Sequence, residues 1–153
     1  MANRKSMVIP LFKSHLIGML FLAILALSFT ATADQYAINI SENKFLGNYL
    51  VNQSGFALYT YASDADANGA SACYDDCAVT WKPFYAENIT SPDSVNPADF
   101  AAITRTDGSR QTTYKGWPLY LYSRDEAPGD VYGEGKENGL WHVVSPTDQS
   151  QLF

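Results

Sequence analysis

Two kinds of chemistry overlap in the stretch DADANGASACYDDC, residues 64 to 77. Counted from Asp64, side-chain oxygens fall at positions 1, 3 and 5 (Asp64, Asp66, Asn68), a glycine at position 6 (Gly69) and an acid at position 12 (Asp75). This is most of the ligand series of a calcium loop, where the sixth position needs glycine for the sharp turn. Asp75 is one methylene shorter than the bidentate Glu usual at the twelfth position, so calcium would sit in a loop unlike an EF-hand. Asp125 occupies the place of Asp64 in a second copy of the surrounding motif, followed by Glu126-Ala127-Pro128-Gly129-Asp130, which cannot present the same ligands. An Asp kept in both copies without its co-ligands is expected to accept backbone N–H groups at a strand-exit turn.

The second half of the stretch holds Cys73 and Cys77, the two cysteines of the chain. Two thiols four residues apart in an exported protein read most simply as a disulfide. On a helical turn their Cα atoms would lie about 6 Å apart, within bridging range. The alternative is copper, because two soft thiolates and one imidazole suit that metal, and His142 is the histidine available beyond the N-terminal segment. Catalysis has little to build on. A nucleophile–base system would have to use His142, and no Gly-x-Ser-x-Gly elbow is present.

The N-terminus sets the compartment in which those cysteines are read. Arg4, Lys5 and Lys13 precede an apolar run from Leu16 to Phe29, and Ala31-Thr32-Ala33 supplies small residues at a cleavage site. The run is shorter than the roughly 20 residues of a membrane-spanning helix. Residues 1–33 are expected to be a signal peptide, cleaved before Asp34, and no cysteine follows it for lipid attachment. The expected mature chain, 34–153, is a single secreted domain without a stable membrane anchor. It holds all 16 acidic residues but seven of the ten basic ones, a balance that repels phosphate backbones and excludes nucleic acid as a partner.

The elements that must position these residues follow from an internal repeat. At an offset of 61, Gly55-Phe56-Ala57-Leu58-Tyr59-Thr60-Tyr61 lies over Gly116-Trp117-Pro118-Leu119-Tyr120-Leu121-Tyr122. Asp64 and Asp125 follow, then Trp81 and Trp141. Repeats of about 47–85 and 100–146 are expected to share one core. Leu-Tyr-x-Tyr puts both tyrosines on one strand face, and Asp107-Gly108 marks a hairpin between Thr104 and Tyr114. Ser71 is placed to cap a short helix running to Thr80, and residues 86–99 read as the connection between repeats. The predicted fold is mainly β: two pseudo-repeated antiparallel units forming one small domain, with a short helix carrying the cysteine pair. Tyr59, Tyr61, Tyr120 and Tyr122 are expected to pack in the core with hydrogen-bonded hydroxyls. Their alternative role is an aromatic platform for a sugar, a flat cofactor or a partner.

The doubled Leu-Tyr-x-Tyr-x-x-Asp resembles a bacterial secreted-repeat family of predicted lipoproteins with a Tyr-x-aromatic-x-x-Asp motif. So do the Ser71-x-Cys73-x-x-x-Cys77-Ala78-x-x-Trp81 stretch and Pro128-Gly129-Asp130-x-x-Gly133-x-Gly135 before Trp141. Trp81-Lys82-Pro83 stands where such proteins often have Trp-Pro-Pro. The resemblance implies an exported domain. The expected function is a secreted or periplasmic, non-catalytic binding module of the cell envelope, its partner an unknown envelope protein or small ligand, with no obligatory cofactor. The competing readings are a redox or copper-handling protein using Cys73, Cys77 and His142, and a calcium-stabilised module using Asp64, Asp66, Asn68 and Asp75.

Overall fold

The computed structural model describes residues 37–67 and 69–146, without the side chains of Asp66 and Ala67. The expected leader, its cleavage position and Asn68 lie outside the described residues. Among them, no helix is long and apolar enough to cross a membrane.

Each repeat begins with a hairpin. β1 (Ile38–Asn43) pairs antiparallel with β2 (Gly47–Asn52), and β5 (Phe100–Thr104) pairs antiparallel with β6 (Arg110–Tyr114). The Asp107-Gly108 tip forms as its sequence dictates: Asp107 Oδ1 accepts from Ser109 N at 2.9 Å, and Gly108 takes φ +83°. A short segment then returns against the hairpin. It is the Val51–Ala57 bridge in the first repeat and β7 (Trp117–Pro118), paired with β6, in the second.

The two Leu-Tyr-x-Tyr segments become β3 (Tyr59–Tyr61) and β8 (Tyr120–Tyr122), and the tryptophans open β4 (Trp81–Pro83) and β9 (Trp141–Val143). These four form one antiparallel sheet in the order β4-β8-β3-β9, with Tyr59 opposite Tyr120 at its centre. Its order is palindromic, and each tryptophan strand pairs with the tyrosine strand of the other repeat: Trp81 faces Tyr122, and Trp141 faces Tyr61.

Exchange of terminal strands extends beyond that sheet. Leu50 N donates to Val144 O, Val144 N to Leu58 O and Leu58 N to Leu50 O, at 2.8, 2.9 and 2.9 Å. The same closed ring recurs as Thr112 N to Phe84 O, Phe84 N to Leu119 O and Leu119 N to Thr112 O, at 2.8, 2.8 and 2.9 Å. The end of each repeat therefore completes the backbone hydrogen bonding of the other's hairpin. Buried backbone groups left without such partners are costly, so neither half is satisfied alone.

Two apolar clusters fill the fold. One gathers Leu50, Leu58, Leu119, Phe84 and Val144 around the exchanged backbone rings, and Val95, from the connection between repeats, belongs to it. The other is aromatic and is built on the tyrosine and tryptophan strands. The helix α1 (Asp76–Thr80) is shorter than expected and begins after Cys73; its N-cap is Asp75, whose side chain makes no capping hydrogen bond. Ser71 does not cap it. Its hydroxyl is drawn instead into a buried polar corner, described next.

Candidate functional site

The tyrosine period places Tyr59 and Tyr61 on one sheet face and Thr60 on the other, and the repeat does the same for Tyr120, Tyr122 and Leu121. On the tyrosine face, Tyr61 stacks on Trp141 at 4.2 Å and Trp141 on Trp81 at 3.8 Å, while Tyr122 meets Trp81 at 4.3 Å with its ring tilted by 32°. The four rings alternate between repeats. Tyr59 meets Trp81 edge-on at 5.4 Å, and Tyr120 meets Trp141 edge-on at 5.1 Å. Tyr59, Tyr120, Trp81 and Trp141 are all 1% exposed or less. Tyr59, Tyr120 and Tyr122 are thus core, and Tyr61 is half-buried against it.

The motif aspartates are tied to those tyrosines across the repeats. Tyr59 Oη donates to Asp125 Oδ2 at 2.7 Å, and Tyr120 Oη donates to Asp64 Oδ2 at 2.8 Å. The other oxygen of each carboxylate accepts a backbone N–H of its own loop: Ala72 N to Asp64 Oδ1 at 2.7 Å, and Tyr132 N to Asp125 Oδ1 at 3.0 Å. Burial pushes the Asp64 carboxyl up to about 6 against the pull of Ala72 N–H, the Tyr120 hydroxyl and Arg105. It raises Asp125 as well. Burial, helped by the partner carboxylates, drives both phenols well above their ordinary value, so they remain donors.

With both Asp64 oxygens engaged and its side chain buried, the expected calcium series does not present its first ligand to solvent. Asn68 and the Asp66 side chain lie outside the described residues. Cys73 and Cys77 are joined in a disulfide with Cα atoms 5.3 Å apart. Their sulfurs are therefore committed to each other, while His142 is engaged by Glu134 and Gly139. Among the described residues, no group of three His, Cys, Asp or Glu side chains is placed to hold a metal ion.

The alignment of the two loops explains the cysteines. At an offset of 60, Cys73, Cys77 and Trp81 fall on Gly133, Glu137 and Trp141. In the second repeat Gly133 packs so closely that a Cβ would come within 2.8 Å of both Trp81 and Tyr59, and Glu137 accepts from Trp81 Nε1 at 3.3 Å. The first repeat holds the equivalent loop with a disulfide. Trp141 Nε1, whose matching partner would be at Cys77, has no hydrogen bond.

A second asymmetry lies at the hairpin tips. Arg105, 3% exposed, donates to Ser71 Oγ (2.7 Å), Gln111 Oε1 (2.6 Å) and the Cys73 carbonyl (2.6 Å), and lies 4.3 Å over the Tyr74 ring. At the first tip Asn43 holds the matching position, and Lys44 beside it lies over the exposed Phe45 ring at 4.6 Å. Beside this first tip a cleft of about 540 Å3 opens on the sheet face away from the tyrosines. Phe45, Leu46, Ala62, Ala65 and Trp117 form its apolar walls, and Thr60 and His142, paired in register on β3 and β9, lie at its floor with Glu134.

The imidazole at that floor is held on both sides: His142 Nε2 lies 2.7 Å from the Gly139 carbonyl and His142 Nδ1 2.7 Å from Glu134 Oε1. Glu134 Oε2 accepts from Val143 N at 2.7 Å, fixing the carboxylate to the edge strand.

Among the described residues expected from sequence to form a site, His142 alone lines this cleft. Phe45, Trp117, Glu134 and Arg105 were not anticipated. They sit where the two copies differ, opposite Asp107, Phe56, Tyr74 and Asn43.

No curated protein and no solved structure matched the chain. One family model matches it twice, over residues 43–85 and 101–145, the two units related here by the exchanged strands. Its description as secreted agrees with the export expected from the N-terminus. The chain belongs to the family described as a secreted repeat of unknown function.

Proposed function

We propose that this exported module is a non-catalytic binding protein of the cell envelope that holds a small ligand in the cleft over β3 and β9. The observation that carries this reading is the cleft itself. Its volume of about 540 Å3 lies within the roughly 300–1,000 Å3 usual for small-molecule sites, and it combines apolar walls with a few convergent polar groups. It stands on a rigid floor, because the opposite face of the same strands carries the buried aromatic stack. A site on strands locked by packing keeps its geometry better than one on loops.

A fragment screen followed by two-dimensional NMR on the isotope-labelled mature protein tests the proposal. Binders should shift resonances of Phe45, Trp117 and His142, and the effect should be lost in Phe45→Ser with the thermal transition unchanged. Binders that map only elsewhere, or no binders at all, would refute the cleft as the functional site.

A further inference from the structure

Independently of the cleft, we infer that the aromatic core takes up one oxidising equivalent and holds it: an electron leaves by way of Trp141 and Tyr61, and the vacancy settles on Tyr59 or Tyr120 as a neutral phenoxyl radical. Trp141 Nε1 is buried with no hydrogen-bond partner among the described residues. Such donors cost stability and are rare in native folds, where a redox role is one of the reasons they persist. The counterpart, Trp81 Nε1, donates to Glu137 Oε1 at 3.3 Å.

This difference governs where an oxidised ring is stable. Removing an electron from a phenol or an indole makes it strongly acidic, so the radical is stabilised where a base receives the proton. Tyr59 has Asp125 Oδ2 at 2.7 Å, Tyr120 has Asp64 Oδ2 at 2.8 Å, and Trp81 has Glu137. Burial raises both aspartates, so each keeps a proton more readily than a carboxyl in water. Trp141 has no such base, so a radical cation formed there passes on. Its position suits a relay. It is stacked between half-buried Tyr61 at 4.2 Å and Trp81 at 3.8 Å, with Tyr120 edge-on at 5.1 Å. Tyr59 lies 5.4 Å from Trp81. Every step joins neighbouring rings, and electron tunnelling falls steeply with distance. A phenoxyl is more stable than the corresponding indole radical, which makes the tyrosines the resting place.

The steps balance. A one-electron oxidant, such as a peroxyl radical met outside the cytoplasm, takes an electron from Trp141 across the Tyr61 ring. Tyr120 then gives one electron to Trp141 and its hydroxyl proton to Asp64, leaving neutral Trp141, a phenoxyl radical and an aspartic acid. By way of Trp81 the same exchange reaches Tyr59 and Asp125. A reductant of the hydroquinone class returns the electron, and the proton goes back along the hydrogen bond that it came by. The Cys73–Cys77 disulfide takes no part.

The test photo-oxidises the mature protein with tris(bipyridine)ruthenium(II) and chloropentaamminecobalt(III) as irreversible quencher. Transient absorption and freeze-trapped electron paramagnetic resonance follow the radicals, in samples carrying ring-deuterated tyrosine or tryptophan. An indole radical cation should give way to a phenoxyl signal that narrows with deuterated tyrosine and outlives the phenoxyl of the same chain unfolded in urea. Hydroquinone should discharge it and leave the protein mass unchanged. Tyr59→Phe and Tyr120→Phe should each remove one component of the signal, and Tyr132→Phe, at an exposed position, should remove neither. Should a core variant fail to fold, the deuterium narrowing, the lifetime and the recovery with hydroquinone decide on the wild type alone. Indole radicals that end as hydroxylated tryptophan, a phenoxyl no longer-lived than in the unfolded chain, or a signal indifferent to both folded core variants would each overturn the inference.

Discussion

Tyr59 of the first repeat donates to Asp125 of the second at 2.7 Å, and at the pseudo-equivalent place Tyr120 donates to Asp64 at 2.8 Å. The motif tyrosine and the motif aspartate of one repeat therefore do not serve each other. Each phenol finds its carboxylate across the junction, as each terminal strand finds its hairpin there.

Removing a phenol hydroxyl should expose this reciprocity. Tyr59→Phe or Tyr120→Phe leaves a buried carboxylate oxygen without its donor and is expected to cost about 1.5–3 kcal/mol in chemical denaturation. In double-mutant cycles the pairs Tyr59 with Asp125 and Tyr120 with Asp64 should couple, whereas Tyr59 with Asp64 should be nearly additive. Coupling within a repeat rather than between repeats would contradict the exchanged geometry.

Separate halves should not fold. Residues 34–92 lack the Val144 backbone that bonds Leu50 and Leu58, and residues 93–153 lack the Phe84 backbone that bonds Thr112 and Leu119. Expressed alone, each should show poorly dispersed amide spectra and no cooperative melt. Mixed, they should recover both. A cooperative transition in either half alone would count against this dependence.

Stability should rise as the solution is made more acidic, from pH 7 to pH 5. The Asp64 carboxyl is raised to about 6 in the folded protein from 3.8 when free, so the folded state binds more protons than the unfolded state between these values. Its contribution is fully present below the unfolded value and is lost as pH rises through the folded one. Over pH 5 to 7 the change is about 1 kcal/mol by linkage, with Asp125, raised in the same direction, adding to it. Denaturant midpoints measured across this range should flatten in Asp64→Asn. A wild-type midpoint that climbs with pH here would show the sign to be wrong.

Gly133→Ala should be among the most damaging single changes. The added methyl would lie 2.8 Å from Trp81 Cη2 and from two ring atoms of Tyr59, so the aromatic stack has to move. Overpacking of this kind costs about 1–3 kcal/mol, and near-ultraviolet circular dichroism should change with it. Gly69→Ala, at a position with open space but φ +81°, should strain its own turn and leave that aromatic signal intact.

The disulfide of the first repeat should prove structural. No free thiol is expected under denaturing conditions, and Cys73→Ser/Cys77→Ser should fold with a loss of about 2 kcal/mol, the chain-entropy value for so short a loop. Rapid native thiol titration, or copper bound by the protein in proportion to His142, would bring the redox reading forward.

The sequence by itself determined the elements and their kinship. Period-two tyrosines, the Asp107-Gly108 tip and the offset of 61 reveal two β units with a shared aromatic core, because side-chain alternation and turn chemistry are local properties of the chain. The pairing of Cys73 and Cys77 was legible from the export signal, which places two thiols in an oxidising compartment, with a spacing short enough to bridge. Which repeat supplies each partner was decided by the tertiary structure. Asp64 and Asp125 look alike in sequence whether they bind a tyrosine of their own repeat or of the other, and only exchange of the terminal strands puts Tyr120 beside Asp64. The cleft is likewise a product of packing. Phe45, Trp117, Glu134 and His142 come from four separate segments, and their meeting depends on β9 lying beside β3 rather than beside β8. Long-range strand pairing of that kind is set by burial of the whole aromatic face, a property of the folded molecule that no local stretch contains.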